Sequence, residues 1–133
     1  MRVRAVTPIL NVSDLEGSFA WFARFGWDKH WAWAPPEAGP DAAPSFGAVI
    51  SGDCEVFLSL NGQGGRVGCP DPGGVGTWMT IWVDDVDAVH ASCVAEGLEI
   101  SLPPEDMPWG VREMHVRHPD GHVFRVTQVL AAD

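Results

Sequence analysis

Glu113, His115 and Arg125 are the residues of this 133-residue chain best suited by type to move a proton, and they sit close together in sequence. A carboxylate, an imidazole and a guanidinium brought to one place could serve as acid or base on a small metabolite. Arg125 has two other uses: it could neutralise a ligand carboxylate or phenolate, or pair with Glu113 or Glu55 across a sheet. His115, His118 and His122 resemble a metal cluster only on paper. Positions 115 and 118 point to opposite faces of an extended strand, and 118 and 122 straddle a turn. No Ser-His-Asp or Cys-His spacing stands out, and Cys54, Cys69 and Cys93 lack neighbours that would clearly acidify a thiol, so no catalytic residue is assigned. The other chemistry is aromatic, with seven Trp and six Phe but no Tyr. Trp21 and Trp27 read as core, whereas Trp31, Trp33, Trp78, Trp82 and Trp109 are hard to hide together in a domain this small; they are candidates for ligand or interface contact, with at least two expected to line a cleft.

The elements that must position these groups form a repeat. Residues 4–12 read as a strand in which Pro8 removes a ladder donor. Ser13-Asp14 then caps a helix carrying Leu15, Phe19, Trp21, Phe22 and Phe25, which Gly26 ends. Residues 27–34 return to strand, with Trp27, Trp31 and Trp33 on one face. A Pro/Ala/Gly-rich loop covers 35–44, and 45–51 with 54–60 form a hairpin turning at Gly52-Asp53. Residues 61–76 hold seven glycines and two prolines and read as a linker or flap. After it, Val83-Asp84-Asp85-Val86 matches Val12-Ser13-Asp14-Leu15, and Gly97 matches Gly26, each 71 positions on. Val123-Phe124-Arg125-Val126 echoes Val56-Phe57-Leu58-Ser59. The strand at 77–83 sets Met79, Ile81 and Val83 on one face and Trp78, Thr80 and Trp82 on the other, a concave wall of two indoles with a hydroxyl between them. Residues 107–128 close the chain as a hairpin about His118-Pro119-Asp120-Gly121, with Met107 and the rigidly held Pro108-Trp109-Gly110 at its outer end. The expectation is an α+β fold of two tandem βαβββ modules forming a cupped mixed sheet, module one at 1–60 and module two at 77–133.

Composition narrows the function classes. A net charge of −10 repels phosphate backbones and anionic membranes, so neither nucleic acid nor membrane is an expected partner. An odd number of cysteines without metal spacing, and an N-terminus (Met1-Arg2-Val3-Arg4) that runs straight into a strand-like segment, point to reduced thiols in a cytoplasmic protein.

Duplicated βαβββ modules, Asp-capped helices stopped by Gly and a closing Pro-Asp-Gly hairpin resemble the vicinal oxygen chelate superfamily over nearly the whole chain. That group includes glyoxalase I, extradiol dioxygenases, fosfomycin-modifying enzymes and bleomycin resistance proteins. Metal-dependent members draw ligands from the opening and closing strands of each module, and the resemblance places Thr7, Trp78, Leu58 and Arg125 there. These four cannot build a divalent-ion site, so neither a metal nor another cofactor is expected. Pro8-Ile9-Leu10, Phe46-Gly47, Val56-Phe57-Leu58-Ser59, the Trp78 to Val83 strand and Pro108-Trp109-Gly110 are similar to the metal-free bleomycin resistance branch. This implies a homodimer that swaps its first strand, two ligand clefts at the dimer interface, and ligand contacts from Phe46 and Trp109. The loops at 35–44 and 61–76 depart from that pattern in length and in Gly/Pro content, and Trp31, Trp33 and Trp78 add aromatic surface.

The expected activity is self-resistance by sequestration. The protein would bind an aromatic antibiotic, either a bleomycin-type glycopeptide or a planar polycyclic such as an anthraquinone-fused enediyne, without altering it. The expected ligand-binding residues are Trp31, Trp33, Phe46, Leu58, Trp78, Trp82, Met107, Trp109 and Arg125. The alternative is a cofactor-independent isomerase, hydrolase or cyclase that uses Glu113, His115 or Arg125.

Overall fold

The computed structural model describes residues 1–60, 62 and 76–131. The chain divides into two units, Met1–Pro70 and Asp71–Asp133. The linker or flap expected at 61–76 falls almost entirely outside the described residues.

The first unit runs β1 (Ile9–Val12), α1 (Leu15–Arg24), β2 (Asp28–Trp33), a short 3-10 turn (Pro36–Ala38), β3 (Phe46–Ser51) and β4 (Cys54–Leu60). Its sheet has the order β1-β4-β3-β2, with β1 parallel to β4 and the other pairs antiparallel. The Asp14 carboxylate accepts from the Gly17 amide at 3.0 Å, meeting one of the donors that a helix start leaves unpaired. At the other end Gly26 takes φ 92°, and the Trp27 amide reaches back to the Phe22 carbonyl at 2.8 Å. That closure carries Trp27 into the core beside Trp21, Phe22 and Phe25, as expected for Trp21 and Trp27.

Two expectations about this unit are corrected. The first strand begins at Ile9, not at residue 4, and residues 1–7 are exposed. Pro8 still contributes its carbonyl, which accepts from the Phe57 amide at 2.9 Å, but it has no N–H to carry the ladder further back. Trp27 also does not share a face with Trp31 and Trp33. It precedes β2, and a register shift between Lys29 and Trp31 resets the alternation. Lys29 thus lies opposite Val49 and sets its ammonium 4.7 Å from the Phe19 ring centroid, while Trp31 lies opposite Ala48.

The second unit repeats the plan with β5 (Trp78–Trp82), α2 (Val86–Ala95), β6 (Glu99–Asp106), β7 (Val111–Arg117) and β8 (Val123–Val129), in the order β5-β8-β7-β6. Asp85 caps α2 through the Ala88 amide at 3.1 Å, and the Leu98 amide returns to the Cys93 carbonyl at 3.0 Å behind Gly97 at φ 70°. Each of these bonds lies 71 residues beyond its counterpart in the first unit. Sequence patterning gave β6 no explicit signature. It is an edge strand whose Pro103-Pro104 pair falls within its second register shift, so the missing amides cost no regular ladder bond. The expected cupped sheet is thus resolved into two four-stranded mixed sheets, one per unit.

The closing turn is held by its histidines. The Asp120 amide donates to His118 Nδ1 at 3.0 Å, and the Thr77 amide donates to His122 Nδ1 at 2.9 Å. Both imidazoles spend a ring nitrogen on the backbone, which accounts for them without a metal. Gly76 passes so close that a Cβ there would lie 1.9 Å from the Gly121 carbonyl oxygen.

Candidate functional site

Each sheet has one face covered by its helix and one that is not, and the candidate residues separate along that line. In the first unit Gly47 identifies the covered face, because a Cβ at that position would lie 2.5 Å from Phe19 of α1. Leu58 is paired with Gly47 and shares that face. With 0% exposure it is a core residue, and its expected place among the ligand contacts is corrected. The opposite face carries Phe46, Phe57 and Trp31, an aromatic triad with ring centroids 5.7 Å (Trp31–Phe46), 5.3 Å (Trp31–Phe57) and 5.5 Å (Phe46–Phe57) apart. Trp33, opposite Phe46, is exposed beside them. Tilted and edge-to-face rings at these separations form a preorganised apolar platform, because each ring is fixed by the other two.

In the second unit the uncovered face carries Trp78, Thr80 and Trp82 on β5, Arg125 and Thr127 on β8, and Glu113 and His115 on β7. Arg125 grips Glu113 through two bonds, Nε to Oε2 at 2.7 Å and Nη2 to Oε1 at 2.9 Å, and its Nη1 donates to the Thr80 hydroxyl at 3.2 Å. His115 Nε2 lies 2.9 Å from Glu113 Oε2, and its ring meets Trp78 edge-on at 6.1 Å. Glu113 is 2% exposed, so its charge depends on these partners. The Arg125 hydrogen bonds outweigh burial and hold its carboxyl down to about 2, with His115 assisting. The same bonds raise Arg125. Of the roles open to Arg125, the structure therefore takes the cross-sheet pair with Glu113, while Glu55 pairs with His30.

Strand pairing also fixes how the two faces correspond. Ile9 opposes Phe57 and Thr80 opposes Arg125, and since Thr80 is 71 positions beyond Ile9, Arg125 is the counterpart of Phe57 rather than of Leu58. By the same register Phe46 and Ala48 correspond to Glu113 and His115. One face is thus aromatic where the other is ionic. Phe57, Glu113, His115 and Thr80 were absent from the expected ligand contacts. Phe57 was missed through a one-residue slip between the closing strands, which exchanges the two faces of a strand.

Of the remaining candidates, Trp82 shares the face of the second cluster, while Met107 and Trp109 lie outside the strands. Trp82, exposed, joins Val83, Asp84, Gln128 and Val129 around a shallow recess of about 280 Å³. Met107 and Trp109 occupy the β6–β7 turn, where Gly110 takes φ 88° and Trp109 is 61% exposed.

Two units of one helix and four strands each, related by a regular spacing of caps and stops, define a duplicated α+β fold whose sheets each carry a helix on one face. The chain belongs to the Glyoxalase/Bleomycin resistance protein/Dioxygenase superfamily, whose model matches residues 4–126. It is similar to TioX from Micromonospora sp. ML1, at 25% identity over 95% of this chain and 100% of that one, with a TM-score of 0.74. It shares its fold with a bleomycin-binding protein crystallised with bleomycin, at 20% identity over 95% of this chain and 98% of that one, TM-score 0.71. A bleomycin resistance determinant encoded on the transposon Tn5 shares the fold as well, at 20% identity over 96% and 98% of the two chains, TM-score 0.72. No curated protein matches the chain.

The metal that many members of such a superfamily use does not fit these residues. Across the parallel strand pairs the facing positions hold Ile9 with Phe57 and Thr80 with Arg125, and Thr7, Trp78 and Leu58 are no better donors. Glu113 and His115 are the nearest donors to Arg125, but both carboxylate oxygens are already taken, and the guanidinium would repel a cation.

Proposed function

We propose that this protein binds a planar aromatic small molecule, an antibiotic of the bleomycin or polycyclic type, and holds it without chemical change. The observation that carries this reading is the Trp31–Phe46–Phe57 platform on the helix-free face of the first sheet. These rings are half-buried, with part of each still open, and three apolar rings that brace one another suit a flat ligand. The fold shared with a bleomycin-binding protein supports the class of ligand. The net charge of −10 favours a neutral or cationic one. A metal-free, cytoplasmic homodimer belongs to the same proposal, with Trp33, Trp78, Trp82, Met107 and Trp109 as further contacts and no role for nucleic acid or membrane.

The enzymatic alternative draws on Glu113, His115 and Arg125. Glu113, held down to about 2, is a weak base near neutral pH, and that weighs toward binding. Incubation with aromatic antibiotics, followed by release and mass analysis, separates the two readings. Sequestration predicts quenching of Trp fluorescence and intact ligand on release. Altered ligand, with Ala substitutions of Glu113 or His115 reducing rate but not affinity, would establish the enzyme instead.

A further inference from the structure

The ionic face of the second unit has a directional feature that the aromatic platform lacks. Glu113 is gripped at both oxygens by Arg125 and is acceptor-only in its ionised form. His115 Nε2, 2.9 Å from Glu113 Oε2, must therefore be the donor in that bond. In a neutral imidazole the proton on Nε2 leaves Nδ1 as a bare acceptor, and among the described residues no hydrogen-bond partner for Nδ1 is present. The His115 side chain is partly exposed, and its ring abuts the indole of Trp78, which is 67% exposed. The surface thus offers one oriented acceptor at the edge of one aromatic plate.

We propose that His115 is a specificity-determining residue, which selects aromatic ligands carrying a hydrogen-bond donor on or beside the ring, a phenolic O–H or a heteroaryl N–H, with Trp78 stacking the ring and His115 Nδ1 accepting the hydrogen bond. Glu113 and Arg125 are positioning residues: the guanidinium keeps the carboxylate ionised, and the carboxylate fixes the tautomer. This rests on the aromatic-binding reading above and adds a chemical requirement to it. A ligand presenting only acceptors at that point, such as an aryl ether or ketone, would face a lone pair and lose the bond.

Calorimetric titration with 2-naphthol and 2-methoxynaphthalene at pH 7 tests it, since the two differ in the donor and share the ring system. The expected result is naphthol binding roughly three- to tenfold more tightly, the worth of one net hydrogen bond, with His115→Phe erasing that preference. Equal affinity for both probes, or a preference that survives His115→Phe, overturns the selection by His115 while leaving aromatic binding intact. Failure of both probes and of the aromatic antibiotics to bind overturns the aromatic-binding reading together with this one. Nitrogen-15 imidazole spectra of the unmodified protein provide a check independent of any variant: Nε2–H is expected for His115, and an Nδ1–H tautomer contradicts the proposal.

Discussion

At the scale of single residues, two buried ionisable groups set how the fold responds to acid. Burial pushes His118 down from 6.5 to about 4, and its Nδ1 is already occupied as an acceptor. A depressed value means that the unfolded chain takes up the proton first, so stability present above pH 6.5 drains away as the pH falls toward 4, by on the order of 3 kcal/mol. Glu113, lowered from 4.5 to about 2 chiefly by Arg125, adds a second loss between those values. Urea denaturation at steps from pH 7 to pH 2 should show both windows, and a flat profile from 6.5 to 4 would contradict the burial of a neutral His118. Arg125→Met should cost about 3–5 kcal/mol, because it strands a buried carboxylate, and the double change Arg125→Met with Glu113→Leu should recover much of that in the same denaturation assay. Glu113 and Arg125 were both visible in the sequence as one possible pair. That Arg125 would be fully engaged, and not free for a ligand anion, depends on the register of β7 against β8, which residue types alone do not set.

At the scale of elements, capping chemistry made the fold legible. Asp14 with Gly26 and Asp85 with Gly97 marked both helices, and the spacing of 71 between them marked the duplication. Strand faces were less legible, since a single bulge or a one-residue slip inverts them. The bulge between Lys29 and Trp31 removed Trp27 from the aromatic face, and the slip between β4 and β8 put Leu58 where Phe57 belongs. Pro103-Pro104 masked β6, because proline argues against a strand anywhere but at an edge. At Gly47 the sheet leaves no room for a side chain under α1. Gly47→Ala should destabilise the first unit by about 1–3 kcal/mol, as Phe19 has to move to admit the methyl group. Denaturation midpoints would check this, and an unchanged midpoint would mean that α1 does not press on β3.

At the scale of the whole molecule, the chain leaves Met1, Val3, Val6, Ile9, Trp33, Trp78, Trp82 and Trp109 exposed, more apolar surface than a small acidic monomer needs. The proposed homodimer would cover part of it, and sedimentation at micromolar concentration should then give twice the 14.4 kDa chain mass. A species of single mass would remove the dimer from the account. The central claim is that the Trp31–Phe46–Phe57 platform holds a flat ligand, and titration of a planar aromatic antibiotic against the unmodified protein, Phe57→Ala and Leu58→Ala tests it most directly. The account predicts saturable Trp quenching, a loss of affinity of about tenfold in Phe57→Ala, and unaltered affinity in any Leu58→Ala that folds, since Leu58 faces the helix. Undiminished binding by Phe57→Ala would contradict it.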